Sequence, residues 1–302
     1  MRSPAYYNPL RANIGEMLLT VGLLFALAHV KHVVVIGLDG TSPNGIANAK
    51  TPAIDALKAR GAWTFHARGV MPTVSSPNWA SMIMGAGPEQ HGVTSNDWKP
   101  EKFPFPPIVK GSGGIFPTMF GVLREARPRA VIGVFHDWPG FGRLLEPKAP
   151  DALENPKGPD ETAARAIAFI KARKPSLTFV HLDHVDHAGH ESGHGTPQYY
   201  EAVEKADRLI GNIMDALKQA GMLDSTIVIV TADHGGMGRK HGGETLAELE
   251  IPWIIAGPGV RSVYELKDPV NTYDTAATVL YVLGVKQPAA WIAKPVREAF
   301  RK

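Results

Sequence analysis

The sequence has no cysteine among its 302 residues, and this absence excludes several classes of protein. Disulfide scaffolds, iron–sulfur proteins and enzymes with a cysteine nucleophile all require thiols. The chain also lacks a strong charge of one sign, since its formal net charge is +3 and its lysines and arginines are dispersed. A nucleic-acid polymer is therefore not an expected partner, because such partners bind clustered basic surfaces.

Long apolar runs are scarce, and a single segment suggests a membrane or a targeting signal. Arg2 and Arg11 precede an apolar run over residues 17–28, which ends in Ala26-Leu27-Ala28. This layout is typical of a secretory signal peptide, and the run is shorter than the roughly 20 residues that span a bilayer. We expect residues 1–28 to be a cleaved leader and residues 29–302 to be one domain, exported to the periplasm or the medium without stable membrane insertion. An uncleaved anchor or a buried N-terminal helix is the alternative.

The remainder of the chain alternates between segments typical of strands and segments typical of helices. Helix candidates run from Asp160 to Arg173 and from Thr196 to Gly221, with capping residues at their starts. The strand candidates are unbroken apolar runs, as expected for strands buried on both faces, and cover residues 33–38, 130–135, 177–182, 226–231 and 253–256. The alternation predicts an α/β fold, a three-layer α/β/α sandwich with a mostly parallel central sheet.

Residues 98–117 interrupt this alternation. The segment is rich in proline and glycine and is too long for an ordinary connection. A rim or lid over a binding site and a solvated surface excursion are equally good interpretations of it.

Carboxylate and imidazole side chains directly follow three of the predicted strands. Because the carboxyl ends of parallel strands share one edge of a sheet, we expect these side chains to converge. Clustered carboxylates raise one another's pKa values unless cations neutralise them, and a mixture of imidazole and carboxylate without cysteine suits zinc. The candidate ligands are Asp39, Asp186, His190, Asp233, His234 and His241.

Ser75 is the candidate nucleophile. Pro77 suits the first turn of a helix that ends at Gly85, which places Ser75 at the helix N-terminus. There the helix dipole favours an alkoxide and a phosphate oxygen, and a cation on the hydroxyl would lower its pKa. The simpler interpretation of Ser75 is a helix cap.

The ordered set of motifs resembles the alkaline phosphatase superfamily, specifically its type I phosphodiesterase/nucleotide pyrophosphatase branch. The resemblance extends from residues 33–40 to residues 273–280. It implies an alkaline-phosphatase-like catalytic domain over residues 29–302 and two zinc sites, with manganese as the alternative metal. One site would comprise Asp39, Ser75, Asp233 and His234, and the other Asp186, His190 and His241. Asn96 matches the asparagine that hydrogen-bonds a phosphoryl oxygen in the family, although as an isolated residue it suggests a turn.

The resemblance also implies hydrolysis of small-molecule phosphate esters through a covalent phosphoserine at Ser75. Because the phosphate-facing residue is the neutral Asn96, phosphodiesters or nucleotide pyrophosphates are favoured over dianionic monoesters, which often attract an arginine. A phosphomonoesterase, a sulfatase-like hydrolase and a non-catalytic protein that binds phosphorylated ligands are the alternatives. Two features depart from the branch: a serine stands where threonine is common, and the segment between His234 and His241 is short.

Overall fold

The computed structural model describes residues 29–102 and 104–301, so the leader predicted for residues 1–28 lies outside the described residues. The described chain contains an eight-stranded sheet with the order β4-β3-β5-β1-β6-β7-β2-β8. All neighbouring strands pair in parallel except that β7 is antiparallel to both β6 and β2. The strands are β1 His32–Leu38, β2 Gly61–Arg68, β3 Ile132–His136, β4 Ala152–Glu154, β5 Leu177–Leu182, β6 Thr226–Thr231, β7 Glu250–Ala256 and β8 Tyr264–Glu265.

Helices cover both faces of the sheet. They are α1 Pro43–Asn48, α2 Pro52–Ala59, α3 Ser75–Met84, α4 Pro88–His91, α5 Met119–Ala126, α6 Gly158–Arg173, α7 His184–Ser192, α8 Pro197–Gln219, α9 Leu246–Leu249 and α10 Asp274–Val282. Side chains alternate along β1, so that Val33 faces a core shared with α3, α5 and α10. Val34 faces a second core, shared with α1, α2, α6, α7 and α8. The predicted three-layer α/β/α sandwich is therefore confirmed.

The apolar strand candidates are confirmed, and two of them, residues 177–182 and 226–231, match the observed bounds of β5 and β6. Both strands are buried along their whole length, as a central parallel strand with helices on both faces must be. One helix start was predicted wrongly. Asp160 lies in the first turn of α6, whose N-cap position is Lys157.

The segment over residues 98–117 is anchored at its ends and exposed in its middle. Trp98, Ile115 and Phe116 are buried in the core beside α3, whereas Phe105 and Ile108 are each 61% exposed. The segment is therefore fixed to the fold at both ends.

Within residues 29–102 and 104–301, no helix has the length and apolarity that crossing a membrane requires.

Candidate active site

The central strands of the sheet bring the predicted metal ligands together. Asp39 directly follows β1, and Asp233 and His234 come one residue after the end of β6. Helix α7 begins just after β5 and places Asp186 and His190 one turn apart on the same face of the helix. Since β5, β1 and β6 are adjacent in the sheet, these residues meet at one edge.

The first cluster is fully buried and lies beside the candidate nucleophile. Asp39, Asp233 and His234 each offer one ligand atom, and these atoms lie within 4.8 Å of one another. The Nε2 atom of His234 is 3.5 Å from Asp39 Oδ1 and 3.2 Å from Asp233 Oδ2. The hydroxyl oxygen of Ser75 is 3.3 Å from the same nitrogen. The hydroxyl therefore lies where a cation held by these three residues would be its neighbour.

The second cluster is more open to solvent and consists of Asp186, His190 and His241. The Nε2 atom of His190 lies 3.2 Å from Asp186 Oδ2, and that of His241 lies 3.8 Å from Asp186 Oδ1. The two imidazole Nε2 atoms are only 3.1 Å apart. The imidazole rings of His234 and His241 stack with centroids 3.9 Å apart, which joins the two clusters.

Backbone carbonyls orient the three histidines in the same way. The Nδ1 atom of each ring is within hydrogen-bond distance of a carbonyl oxygen, at 2.8–3.0 Å; the carbonyls belong to Arg239 for His190, Gly235 for His234 and Thr73 for His241. Nδ1–H must donate in these bonds, which leaves the Nε2 lone pair facing the cluster. Two such lone pairs at 3.1 Å repel each other unless a cation or a proton lies between them.

Each of the three aspartates has one carboxylate oxygen that could accept a cation. Asp39 Oδ1, Asp186 Oδ1 and Asp233 Oδ2 are buried and have no hydrogen-bond partner among the described residues. The second oxygen of Asp233 accepts the backbone N–H of Gly40 at 3.1 Å. Buried carboxylate oxygens without donors are unfavourable in a protein unless a cation coordinates them. These oxygens and the imidazole lone pairs therefore fit divalent cations.

The electrostatics of the clusters agree with this fit. Burial, followed by repulsion from Asp39, raises the pKa of Asp233 well above its usual value and that of Asp186 to about 6. Burial lowers the pKa of His234 to about 3, so this imidazole is neutral and can act as a ligand. A bound cation would reverse the effect on the carboxylates, because it stabilises their ionised form.

The structure joins Asn96 to the residue that follows Ser75. Helix α3 begins at Ser75, in agreement with the predicted helix start. The next backbone N–H, that of Ser76, donates to Asn96 Oδ1 at 2.7 Å. This bond orients the Asn96 amide, and no hydrogen bond to a described residue uses its Nδ2 donor. The Nδ2 group is thus a donor without a partner among the described residues, next to the first turn of α3.

Two charged residues near the site escaped the sequence analysis. Asp183, Asp39 and Asp186 also offer oxygens within 4.8 Å of one another, and burial followed by repulsion from Asp39 raises the pKa of Asp183 to about 7. Arg143 donates from its guanidinium to the backbone carbonyl of Asn96 at 2.6 Å. Asp183 belongs to the motif that contains Asp186, so its sequence position was a usable signal. Arg143 has no such signal.

A third residue that the sequence left unassigned is the fully buried His181. It lies between two carboxylates, with Nε2 3.1 Å from Asp39 Oδ2 and Nδ1 3.4 Å from Asp137 Oδ1. Burial alone would lower the pKa of His181, but the hydrogen bonds with Asp137 and Asp39 outweigh it and raise the pKa to about 10. In the metal-free protein, His181 is therefore charged at neutral pH.

Solved structures with the same sheet and helix arrangement define the class of fold. Human ectonucleotide pyrophosphatase/phosphodiesterase 5 matches with a TM-score of 0.75 at 14% identity, over 90% of this chain and 100% of that chain. A substituted form of alkaline phosphatase PafA matches with a TM-score of 0.74 at 12% identity, over 90% and 99% of the two chains. The fold is alkaline-phosphatase-like.

The sequence comparisons give the family. Residues 33–112 and 133–275 match the family described as type I phosphodiesterase/nucleotide pyrophosphatase, and this chain belongs to that family. The mouse protein ectonucleotide pyrophosphatase/phosphodiesterase family member 1 is 26% identical over 224 residues, which cover 70% of this chain and 25% of the relative. The chain thus spans about a quarter of the length of the curated relatives that it matches. The predicted family is confirmed.

Proposed function

We propose that this protein is a metal-dependent phosphodiesterase that uses Ser75 as its nucleophile. The observation that carries the proposal is the position of the Ser75 hydroxyl, 3.3 Å from His234 Nε2, in a cluster whose buried carboxylate oxygens have no hydrogen-bond partner among the described residues. Membership of the type I phosphodiesterase/nucleotide pyrophosphatase family supports the same reaction class.

The donor sets support two divalent cations, with zinc as the metal that imidazole and carboxylate ligands favour. One set comprises Asp39, Ser75, Asp233 and His234, and the other comprises Asp186, His190 and His241. Bound there, the cations would favour the ionised forms of the serine hydroxyl and of a water molecule, and would stabilise negative charge on the phosphoryl oxygens.

The protein's own groups then have defined tasks. Ser75 Oγ gives up its proton, attacks phosphorus and displaces one alcohol of the diester, which leaves with a proton; Ser75 is then a phosphoserine that still carries the second ester group. Asn96 Nδ2 donates to a non-bridging phosphoryl oxygen, and the Ser76 N–H keeps the amide in that orientation. Water then cleaves the phosphoserine, so that Ser75 regains its hydroxyl and a phosphate monoester leaves.

A neutral phosphate-facing residue favours a diester, which carries one negative charge on its phosphoryl group. The side chains of Arg239 and Lys240 are exposed, and neither makes an ion pair with a described residue of the clusters. The specific observation that favours a phosphomonoesterase instead is Arg143, because its guanidinium lies against the Asn96 backbone. A guanidinium that also reached the substrate would suit the second charge of a monoester.

Ser75→Ala and its neighbour Ser76→Ala form a matched pair for the test. Both serines are buried in the first turn of α3, but Ser76 Oγ has no partner among the described residues. In zinc-loaded protein, we expect Ser75→Ala to lower turnover of bis(p-nitrophenyl) phosphate by roughly a thousandfold or more, and Ser76→Ala to change it little.

Three outcomes would redirect the proposal. Equal losses in the two variants would remove Ser75 from the nucleophile role. A higher kcat/KM for p-nitrophenyl phosphate than for the diester would make the protein a phosphomonoesterase. Metal-loaded protein that binds phosphate but hydrolyses no phosphate or sulfate ester would support a non-catalytic binding protein.

We also propose that the protein is exported. The basic start and the apolar run over residues 17–28 support this, as does the ecto- designation of the mouse relative. Mass spectrometry of protein recovered from the periplasm or the medium should give an N-terminus at residue 29. Recovery of the intact chain in a membrane fraction would instead support an anchor.

A further inference from the structure

Two side chains outside the metal clusters contact the same carboxylate oxygen of Asp39, Oδ2. The indole Nε1 of Trp79 donates to Asp39 Oδ2 at 2.8 Å, and His181 Nε2 lies 3.1 Å from the same oxygen. The other oxygen, Oδ1, has no hydrogen-bond partner among the described residues and lies 3.5 Å from His234 Nε2. The two oxygens of one carboxylate therefore have different environments.

Packing fixes both donors in place. Trp79 is fully buried and makes edge-to-face contacts with Phe179 and with the ring of His181, whose centroid is 4.6 Å away. The indole lies directly over Gly37, where a Cβ atom would come within 2.4 Å of the ring. A glycine in the middle of a buried strand costs stability, and here it provides the space that the indole occupies.

A second carboxylate fixes the imidazole of His181. Asp137 Oδ1 lies 3.4 Å from His181 Nδ1 and accepts the backbone N–H of Asp183 at 2.7 Å. The His181 ring is thus held at both nitrogens. It can rotate away from Asp39 only if it breaks the contact with Asp137.

We propose that Trp79 and His181 are positioning residues that make Asp39 a ligand through Oδ1 alone. The inference rests on the metal site of the proposed function. Two donors on Oδ2 occupy its acceptor sites, so Oδ1 is the oxygen left for the cation beside Ser75. Hydrogen-bonded partners of metal ligands of this kind typically contribute tenfold to hundredfold to metal affinity.

The test compares Trp79→Phe with Trp253→Phe. Both tryptophans are fully buried in the same hydrophobic core, but Trp253 Nε1 donates at 3.1 Å to the hydroxyl of Thr275 and not to a residue of the clusters. Each substitution removes one indole donor and a similar volume. The measurements are zinc affinity by competition with a chromogenic chelator, and the rise in unfolding temperature when zinc is added to metal-free protein.

We expect Trp79→Phe to weaken zinc binding at the site that contains Asp39 by tenfold to hundredfold. The zinc-induced rise in unfolding temperature should be smaller in this variant. Trp253→Phe should lower the unfolding temperature of the metal-free protein but leave zinc affinity within twofold of wild type. Zinc affinity in Trp79→Phe equal to that of Trp253→Phe would overturn the inference.

A second pair covers the case in which Trp79→Phe does not fold. His181→Gln keeps an N–H donor in reach of Asp39, whereas His181→Leu removes it, and we expect the leucine variant to bind zinc at least fivefold more weakly than the glutamine variant. Equal affinities would overturn the inference. If wild-type protein binds no divalent cation, the proposed function itself fails, whereas normal zinc binding in both Trp79→Phe and His181→Leu refutes the positioning role alone.

Discussion

Asp186→Asn should make the metal-free protein more stable, although it removes a proposed metal ligand. The Asp186 side chain is only 11% exposed, and its Oδ1 has no hydrogen-bond partner among the described residues. Burial, followed by repulsion from Asp39, raises the pKa of Asp186 from 3.8 to about 6. The folded protein therefore holds this proton more tightly than the unfolded chain does.

The sign and the size follow from this pKa difference. Between pH 4 and pH 6 the Asp186 carboxyl is protonated in the folded protein but ionised in the unfolded chain, so the free energy of unfolding falls as the pH rises. The whole loss of stability is present above pH 6. A pKa shift of this size corresponds to a cost on the order of 3 kcal/mol at pH 7.5 and of less than about 1 kcal/mol at pH 4. A neutral asparagine avoids the cost, so this is the upper limit of the stabilisation in metal-free protein at pH 7.5.

Urea unfolding at both pH values, with a chelator or with zinc, measures the effect. Metal-free Asp186→Asn should exceed wild type in unfolding free energy at pH 7.5 and differ little at pH 4, while zinc should stabilise wild type far more than the variant. Asp207→Asn is the contrasting control, because the buried Asp207 carboxylate accepts the backbone N–H groups of Ala53 and Ile54. That variant should be destabilised with or without zinc. An Asp186→Asn protein that is less stable than wild type in chelator at both pH values would refute the reasoning.

Three further predictions concern the same site. Gly37→Ala should lower the free energy of unfolding by about 1–3 kcal/mol in a urea titration, because the new methyl group meets the Trp79 indole. Arg143→Met should raise KM for a phosphodiester without changing the zinc content measured by atomic absorption, since it releases the Asn96 carbonyl. Asp186 must release its proton before it can bind zinc, so zinc affinity measured by calorimetry should fall about tenfold per pH unit below pH 6. An affinity independent of pH between 4.5 and 6 would contradict this.

The sequence predicts the central strands well because burial on both faces leaves an unmistakable apolar run. Residues 177–182 and 226–231 are both wholly buried, and both were predicted with their observed bounds. By contrast, β2 over Gly61–Arg68 is not among the predicted strands. This strand includes Thr64 and the exposed His66, so it lacks a continuous apolar run. Its partner β7 is antiparallel, a detail that apolarity alone does not encode.

The convergence of the candidate ligands could also be predicted, because it follows from strands that end at one edge. The orientation of these side chains could not be predicted. His181 Nε2 and Asp39 Oδ2 are 3.1 Å apart although the residues are separated by 142 positions, and nothing local to either residue specifies that contact. Arg143 reaches Asn96 across 47 positions in the same way. The assignment of the six residues as metal ligands stays a prediction, which metal analysis of purified protein would test.

The distribution of burial explains how one fold can tolerate such a site. Carboxylate oxygens without donors are costly in an apolar interior, and the fully buried Asp39 and Asp233 each contribute one. Both residues lie just beyond the last residue of a central strand, so their penalty does not interrupt the apolar packing of β1 and β6. The sheet can therefore form from its two hydrophobic cores, while the polar edge carries carboxylate oxygens that a bound cation would stabilise. Because the penalty and the proposed binding site reside in the same oxygens, cation binding there would be thermodynamically linked to the stability of this edge.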